Sequence, residues 1–262
     1  MKISKSICLV CFVASLLSLS SCRTDLKLAK AFVAERTGIQ AAVYFPEKAE
    51  VKLEYSGTYG QTEVLNGFIQ DLFLDVMYNA YAEAMGTYGV TVYVPEDADS
   101  VQVDSLHWLV MLSRMEISGR ITEYEDYLFS DTEEYSYKHP LNTVNVASWF
   151  EINDGDWKPA LFYEHNLIDG FDSKTDYSVW KGKLDYSYSI DTLDLNDVYN
   201  YAVFLGRLYA GYTYDYMMND YVGVEMKKKN LDYWNRFLLR YDPYKKQLQY
   251  AEEGDGFLEV GS

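Results

Sequence analysis

The chain has 262 residues, 48% of them hydrophobic, and carries 40 acidic against 23 basic side chains for a net charge of −17. That length and apolar content are enough for one well-buried domain, whereas so acidic a surface repels nucleic acid and excludes a nucleic-acid-binding role. The three cysteines are Cys8, Cys11 and Cys22, so the rest of the chain holds none for disulfides or a thiolate metal site.

In chain order, the N-terminus carries the most specific signal. Lys2 and Lys5 precede an apolar stretch from Ile7 to Leu17, and Leu19, Ser20, Ser21 and Cys22 follow. A positive start, a short apolar run and a small-residue cleavage site describe a secretory signal peptide, too short to span a membrane. Leu-Ser-Ser-Cys resembles the lipobox of bacterial lipoproteins. The resemblance implies removal of residues 1–21, acylation of the Cys22 thiol and a membrane anchor through its acyl chains. The remaining 241 residues carry 21 basic and 40 acidic side chains.

Residues 22–38 then read as a lipid-anchored tether with Lys27 and Lys30 near the membrane. Two short strands are expected at Gln40 to Phe45, closed by Pro46, and at Glu50 to Ser56, where Val51, Leu53 and Tyr55 alternate with Lys52 and Glu54. Apolar residues at helical spacing from Leu65 to Ala84 predict a helix from Thr62 to Met85, with Thr62 as N-cap and Gly86 and Gly89 beyond its end. Val90 to Val94 is a further short strand.

The longest strand pattern runs from Leu106 to Phe129. It opens as a continuous apolar block and settles into alternation of Met115, Ile117 and Ile121 with Glu116, Ser118, Arg120 and Thr122, so one face is wet. Gly119 marks a bend or bulge. The first half reads as central and the second as one side of a protruding hairpin arm whose tip loop is Ser130 to Pro140. Thr143 to Ile152 and Pro159 to Ile168 are strands joined at Asn153-Asp154-Gly155-Asp156. Asp-Gly suits a tight hairpin turn, and these acids lack the spacing of a calcium loop. Residues 170–192 are polar and aromatic, hard to assign, and read as an irregular excursion.

Asp194 or Asn196 caps a second long helix to about Met226, with Lys227, Lys228 and Lys229 at its negative end. Leu231 to Arg240 has the pattern of a short amphipathic helix. The fold class expected is α+β, a mostly antiparallel sheet with a long central hairpin covered by two main helices. Residues 39–240 form the single domain and 241–262 an acidic, disordered tail.

The helix ending in Tyr88-Gly89-Val90 before a short strand, and Trp108-Leu109-Val110 opening a long one, resemble the small domain of bacterial periplasmic accessory lipoproteins of the transporter-auxiliary and curli-secretion kind. This is a likeness of element order, and fold analogy does not carry function. The Tyr-rich and Asp-rich style, with 26 tyrosines, resembles envelope lipoproteins of Bacteroidota. Surface-exposed members often show several acids just after the cysteine. Here Arg23, Thr24, Asp25, Leu26 and Lys27 follow Cys22, which favours the periplasmic side of the outer membrane.

No catalytic residue, cofactor or metal site is expected. His107, His139 and His165 lack metalloprotease or triad spacing, no phosphate loop is present, and Glu123, Glu125, Asp126, Glu151, Asp154 and Asp156 read as solvated acids. Three functions stay open: a non-enzymatic accessory or structural lipoprotein with a protein partner; a glycan binder using Trp149, Trp157, Tyr163 and Trp180; and a hydrolase with paired carboxylates. Contact residues are expected on the arm, at Tyr124, Tyr127, Phe129, Tyr135 and Tyr137, where tyrosine offers area and the acids set charge. The same residues would equally shield a long hairpin from edge pairing.

Overall fold

The computed structural model describes residues 24–36, 38–96, 101–104, 106–129, 134–153, 160–178, 183–231, 238–252 and 254–260. The leader and Cys22 therefore lie outside the described residues. Within them the fold is α+β, with three helices packed on a mixed, mostly antiparallel sheet.

The sheet is built outward from one long strand. Strand β4 (His107–Phe129) is its spine. On one edge it pairs in parallel with β1 (Gln40–Tyr44) and then with β2 (Glu50–Leu53), and β1 in turn pairs in parallel with β3 (Thr91–Tyr93). On the other edge it runs antiparallel to β5 (Glu134–Asn153), followed by β6 (Leu161–Ile168) and the two-residue β11 (Leu258–Glu259).

Burial along β4 corrects the expected bulge. Trp108, Val110 and Leu112 are buried, Ser113 and Arg114 are both exposed, and Met115 and Ile117 are buried next. The pairing with β5 slips between Leu112 and Arg114. One extra residue there switches the period-two parity, so the same face stays apolar on both sides of the slip. Gly119 has another role. A Cβ on it would stand 2.8 Å from Thr62 Cγ2 and 3.0 Å from Leu65 Cδ1, so the 62–65 segment lies directly on the sheet there.

Helix α2 (Gln70–Thr87) therefore starts later than its sequence pattern implies. Thr62 caps no helix; its hydroxyl donates to Asn142 Oδ1 at 2.7 Å. Helix α3 (Leu195–Lys228) opens with a capping box in which Asp194 accepts from the Asn196 and Asp197 amides and Asp197 accepts from the Asp194 amide. The two helices touch backbone to backbone at Gly206, where a Cβ would lie 2.3 Å from Met77 O. Their inner faces join one core with the buried face of the sheet, for example Tyr209 against Phe150 at 4.9 Å.

Four expectations for the periphery are overturned. The tether is helix α1 over residues 24–35, with Leu28, Ala29 and Phe32 buried and Phe32 packed on Tyr214 and Tyr221. Spacing of three and four residues puts those apolar groups on one face, which exposed Lys27 and Lys30 beside them disguise. The stretch from Glu134 to Pro140 belongs to β5, so the arm is paired almost to its end. Residues 170–192 hold a hairpin, β7 (Gly170–Ser178) with β8 (Lys183–Asp191).

At the C-terminus, β9 (Leu239–Asp242) pairs with β10 (Gln247–Tyr250), where a helix to Arg240 and then a disordered tail were expected. Residues 232–237 of that expected helix lie outside the described residues. Beyond β10 the chain is tied to the core by Phe257, which inserts among Phe150, Tyr209 and Tyr212.

Candidate functional site

The arm is the part of the β4/β5 ladder from Thr122↔Leu141 to Phe129↔Glu134. Period two gives it two faces. Tyr124 and Asp126 share one face with their cross-strand partners His139 and Tyr137, and that face is covered by the β7/β8 hairpin. Tyr137 stacks on Tyr186 at 4.2 Å, Tyr124 meets Phe171 at 4.8 Å, and buried His139 lies 4.3 Å from Tyr188. The Tyr186 hydroxyl donates to Asp126 Oδ2 at 3.0 Å and is 2.8 Å from His139 Nε2.

Where the two hairpins join, buried Asp169 accepts from the Asn142 amide at 2.7 Å, the Asn142 side chain at 2.9 Å and the Leu193 amide at 2.8 Å. A carboxylate holding three donors is a firm clamp. It orients the second hairpin on the first.

The expected contact residues consequently split. Tyr124 and Tyr137 are half spent on the inter-hairpin sandwich, at 43% and 37% exposed. Tyr135 shares their face by parity. Tyr127, 51% exposed, is on the opposite face, where its hydroxyl donates to Glu125 at 2.7 Å. On that face Glu123 accepts from Lys138 at 2.5 Å and from Tyr59 at 2.8 Å, and these two partners hold its carboxyl below the usual range. The side chain of Phe129 lies outside the described residues.

Of the residues expected for a glycan platform, the two described ones lie on opposite faces of the sheet. Trp149 is half-buried beneath the Arg114 guanidinium at 4.7 Å and against Phe162, and Tyr163 packs on Tyr209 and Tyr212. Trp157 and Trp180 lie outside the described residues, as do Asp154 and Asp156. The histidines are dispersed: His107 sits 2.9 Å from Asp104, His139 is inside the arm, and His165 makes a short contact with the Tyr201 hydroxyl. Among the described residues no three His, Cys, Asp or Glu side chains are placed to hold a metal ion.

A second site was not anticipated. A cavity of about 280 Å³ lies between α3, β9 and the C-terminal segment. At its base Asp215, 8% exposed, accepts from the Tyr241 amide at 2.9 Å and from Arg240 Nε at 3.2 Å. The same guanidinium pairs closely with Asp255, which also accepts from the Tyr212 hydroxyl at 3.3 Å. Burial pushes the Asp215 carboxyl from 3.8 up to about 7, with the Tyr241 amide and Arg240 opposing that rise. Nothing local in the sequence joins these residues, because they come from a helix, a strand and a segment read as disordered.

Compared with known proteins, the chain matches no family model, no curated protein and no solved structure. Among the described residues no helix is long and apolar enough to cross a membrane.

Proposed function

We propose that the chain is a lipoprotein held by Cys22 on the periplasmic side of the outer membrane, where it serves as a non-enzymatic accessory or structural component of an envelope assembly or transport system. The observation that carries this reading is Leu19-Ser20-Ser21-Cys22 behind a short apolar leader. The arm supports the contact role: two hairpins locked by Asp169 and a ring sandwich give a stiff projection, and a preordered surface loses little entropy on docking. Fractionation tests the anchor. Cys22→Ala should move the protein from the membrane to the soluble fraction, and intact mass should show residues 1–21 removed and acyl chains added. An unprocessed, unacylated wild-type N-terminus overturns it.

One observation favours a second reading, a carboxylate-based hydrolase, namely Asp215 and Asp255 facing one cavity. Against it, both oxygens of each carboxylate already accept hydrogen bonds within the protein, Asp215 from Tyr241 and Arg240 and Asp255 from Tyr212 and Arg240. A general acid needs an oxygen free to reach substrate.

A further inference from the structure

We propose that the open edge of β6 receives an extended segment of a partner protein, added antiparallel to the sheet, with apolar side chains toward α3 and basic ones on the opposite face. The site lies apart from the arm and from the anchor, and the inference rests on neither.

The backbone of β6 supplies the first support. The Val260 amide donates to Ala160 O at 2.8 Å and Leu258 is opposite Phe162, so the even-numbered residues of β6 turn their N–H and C=O groups toward β11. The Asp169 amide donates to Asn142 O at 3.0 Å, in line with a β5 ladder that takes the odd-numbered ones. Pairing with β11 stops at Phe162. Beyond it, among the described residues, no strand pairs with the outward groups of Glu164, Asn166 and Ile168, and all three residues are exposed. The C-terminal segment does not fill this lane itself, because Phe257, the next residue due to pair, turns into the core. At about 3.3 Å per residue the lane is roughly 20 Å long and holds a strand of about six residues. Open edges are usually blunted by proline, lysine or a bulge. From Tyr163 to Ile168 there is no proline or lysine, and the pairing with β5 runs without a slip.

The second support is the wall beside the lane. Gly206 touches α2, and two residues along a helix are about 200° around it, so Phe204 stands on the flank of α3 turned away from α2. Its ring is 47% exposed, stacks on Tyr201 at 5.8 Å and lies 5.9 Å from the ring of His165 on the inner face of β6. Every second side chain of an added strand would meet this wall and cover the phenyl ring.

Charge selects the occupant. Glu164 is exposed on the outer row of the lane, where a basic side chain on the added strand would stand across from it or one step away. A second copy is the poorer guest, because it brings the same net charge of −17 and sets its own Glu164 into the same narrow lane.

Calorimetric titration of the full chain in non-ionic detergent micelles with a capped hexapeptide of alternating valine and arginine tests this. Opposite residues of an antiparallel pair share a face, so the arginine amides are the ones that bond to β6. The plain peptide should bind saturably, and the same peptide N-methylated at its arginines, equal in charge, should not. Asn166→Pro should abolish binding with the melting temperature nearly unchanged, since proline is tolerated where the lost N–H faces solvent. Leu167→Pro, which loses an N–H facing β5, should melt well below wild type. Phe204→Ala should weaken binding about tenfold. No binding of the plain peptide, equal binding of the N-methylated one, or Asn166→Pro melting as low as Leu167→Pro overturns the proposal. So does sedimentation of the wild type as a dimer that Asn166→Pro dissolves, which would give the lane to a second copy.

Discussion

Gly206 and Gly86 show at the residue scale how little a residue's identity says without its surroundings. Both are helical glycines, yet a Cβ at Gly206 would collide with Met77 O at 2.3 Å whereas one at Gly86 would meet nothing within 4 Å. Gly206→Ala is therefore expected to force α2 and α3 apart at a cost of about 3 kcal/mol. Gly86→Ala should instead stabilise by about 0.5–1 kcal/mol through helix propensity and a less flexible unfolded chain. Chemical denaturation of the pair checks both signs at once.

Asp215 supplies a pH test at the same scale. Its folded pKa of about 7 exceeds its ordinary 3.8, so between those values the folded state holds a proton that the unfolded chain releases. Its contribution to stability is fully present below about pH 4 and is lost as pH rises through about 7, a loss on the order of 3–4 kcal/mol. Asp215→Asn keeps an acceptor for the Tyr241 amide and removes the titration. The variant should gain stability relative to wild type as pH is raised from 5 to 8, and a constant difference across that range would show that Asp215 does not titrate there. Neither this carboxylate nor its partners was legible in the sequence, because Arg240 and Asp255 derive their meaning from a fold that brings three distant segments together.

Among the elements, β4 was the most legible, since period two over so long a run has one reading. Its fine structure was less so. Glycine inside a strand suggests a bulge, but the slip sits at Ser113 and Arg114, which carry no backbone signature, and Gly119 is glycine because another segment lies against it. Trp108, 3% exposed on the core face, should cost about 3–5 kcal/mol on truncation to alanine. Phe68, only half-buried between Phe73 and Tyr199, should cost less. Equal losses for the two would contradict that difference in burial. The β8 strand does alternate, Leu184, Tyr186, Tyr188 and Ile190 with Asp185, Ser187, Ser189 and Asp191, but β7 has only Phe171 and Tyr177 as large apolar groups on its matching face, so the pair reads as polar until the arm opposite is seen. Asp169→Ala should release this hairpin, seen as faster amide exchange over residues 170–191 with the β4/β5 ladder still protected.

Across the whole molecule, the segments expected to be spacer and tail close the two ends of one core. Helix α1 packs Phe32 onto α3, and the C-terminal segment seats Phe257 beside Phe150 and pairs Leu258 with Phe162 on the edge of the sheet. Helix α1 thus begins two residues after Cys22, the proposed anchor. A lipid on Cys22 would hold the body against the membrane with little slack, and the stiff arm would then be what reaches outward to a partner. A photo-crosslinking amino acid placed at Tyr127 or Tyr135 on the arm, and in parallel at Tyr244, which is 82% exposed on the β9/β10 turn, tests that role in intact cells. One discrete protein adduct is expected from the arm positions, absent from the Tyr244 position and lost when Cys22→Ala frees the protein from the membrane. No adduct from either arm position, or the same adducts from Tyr244, would contradict it.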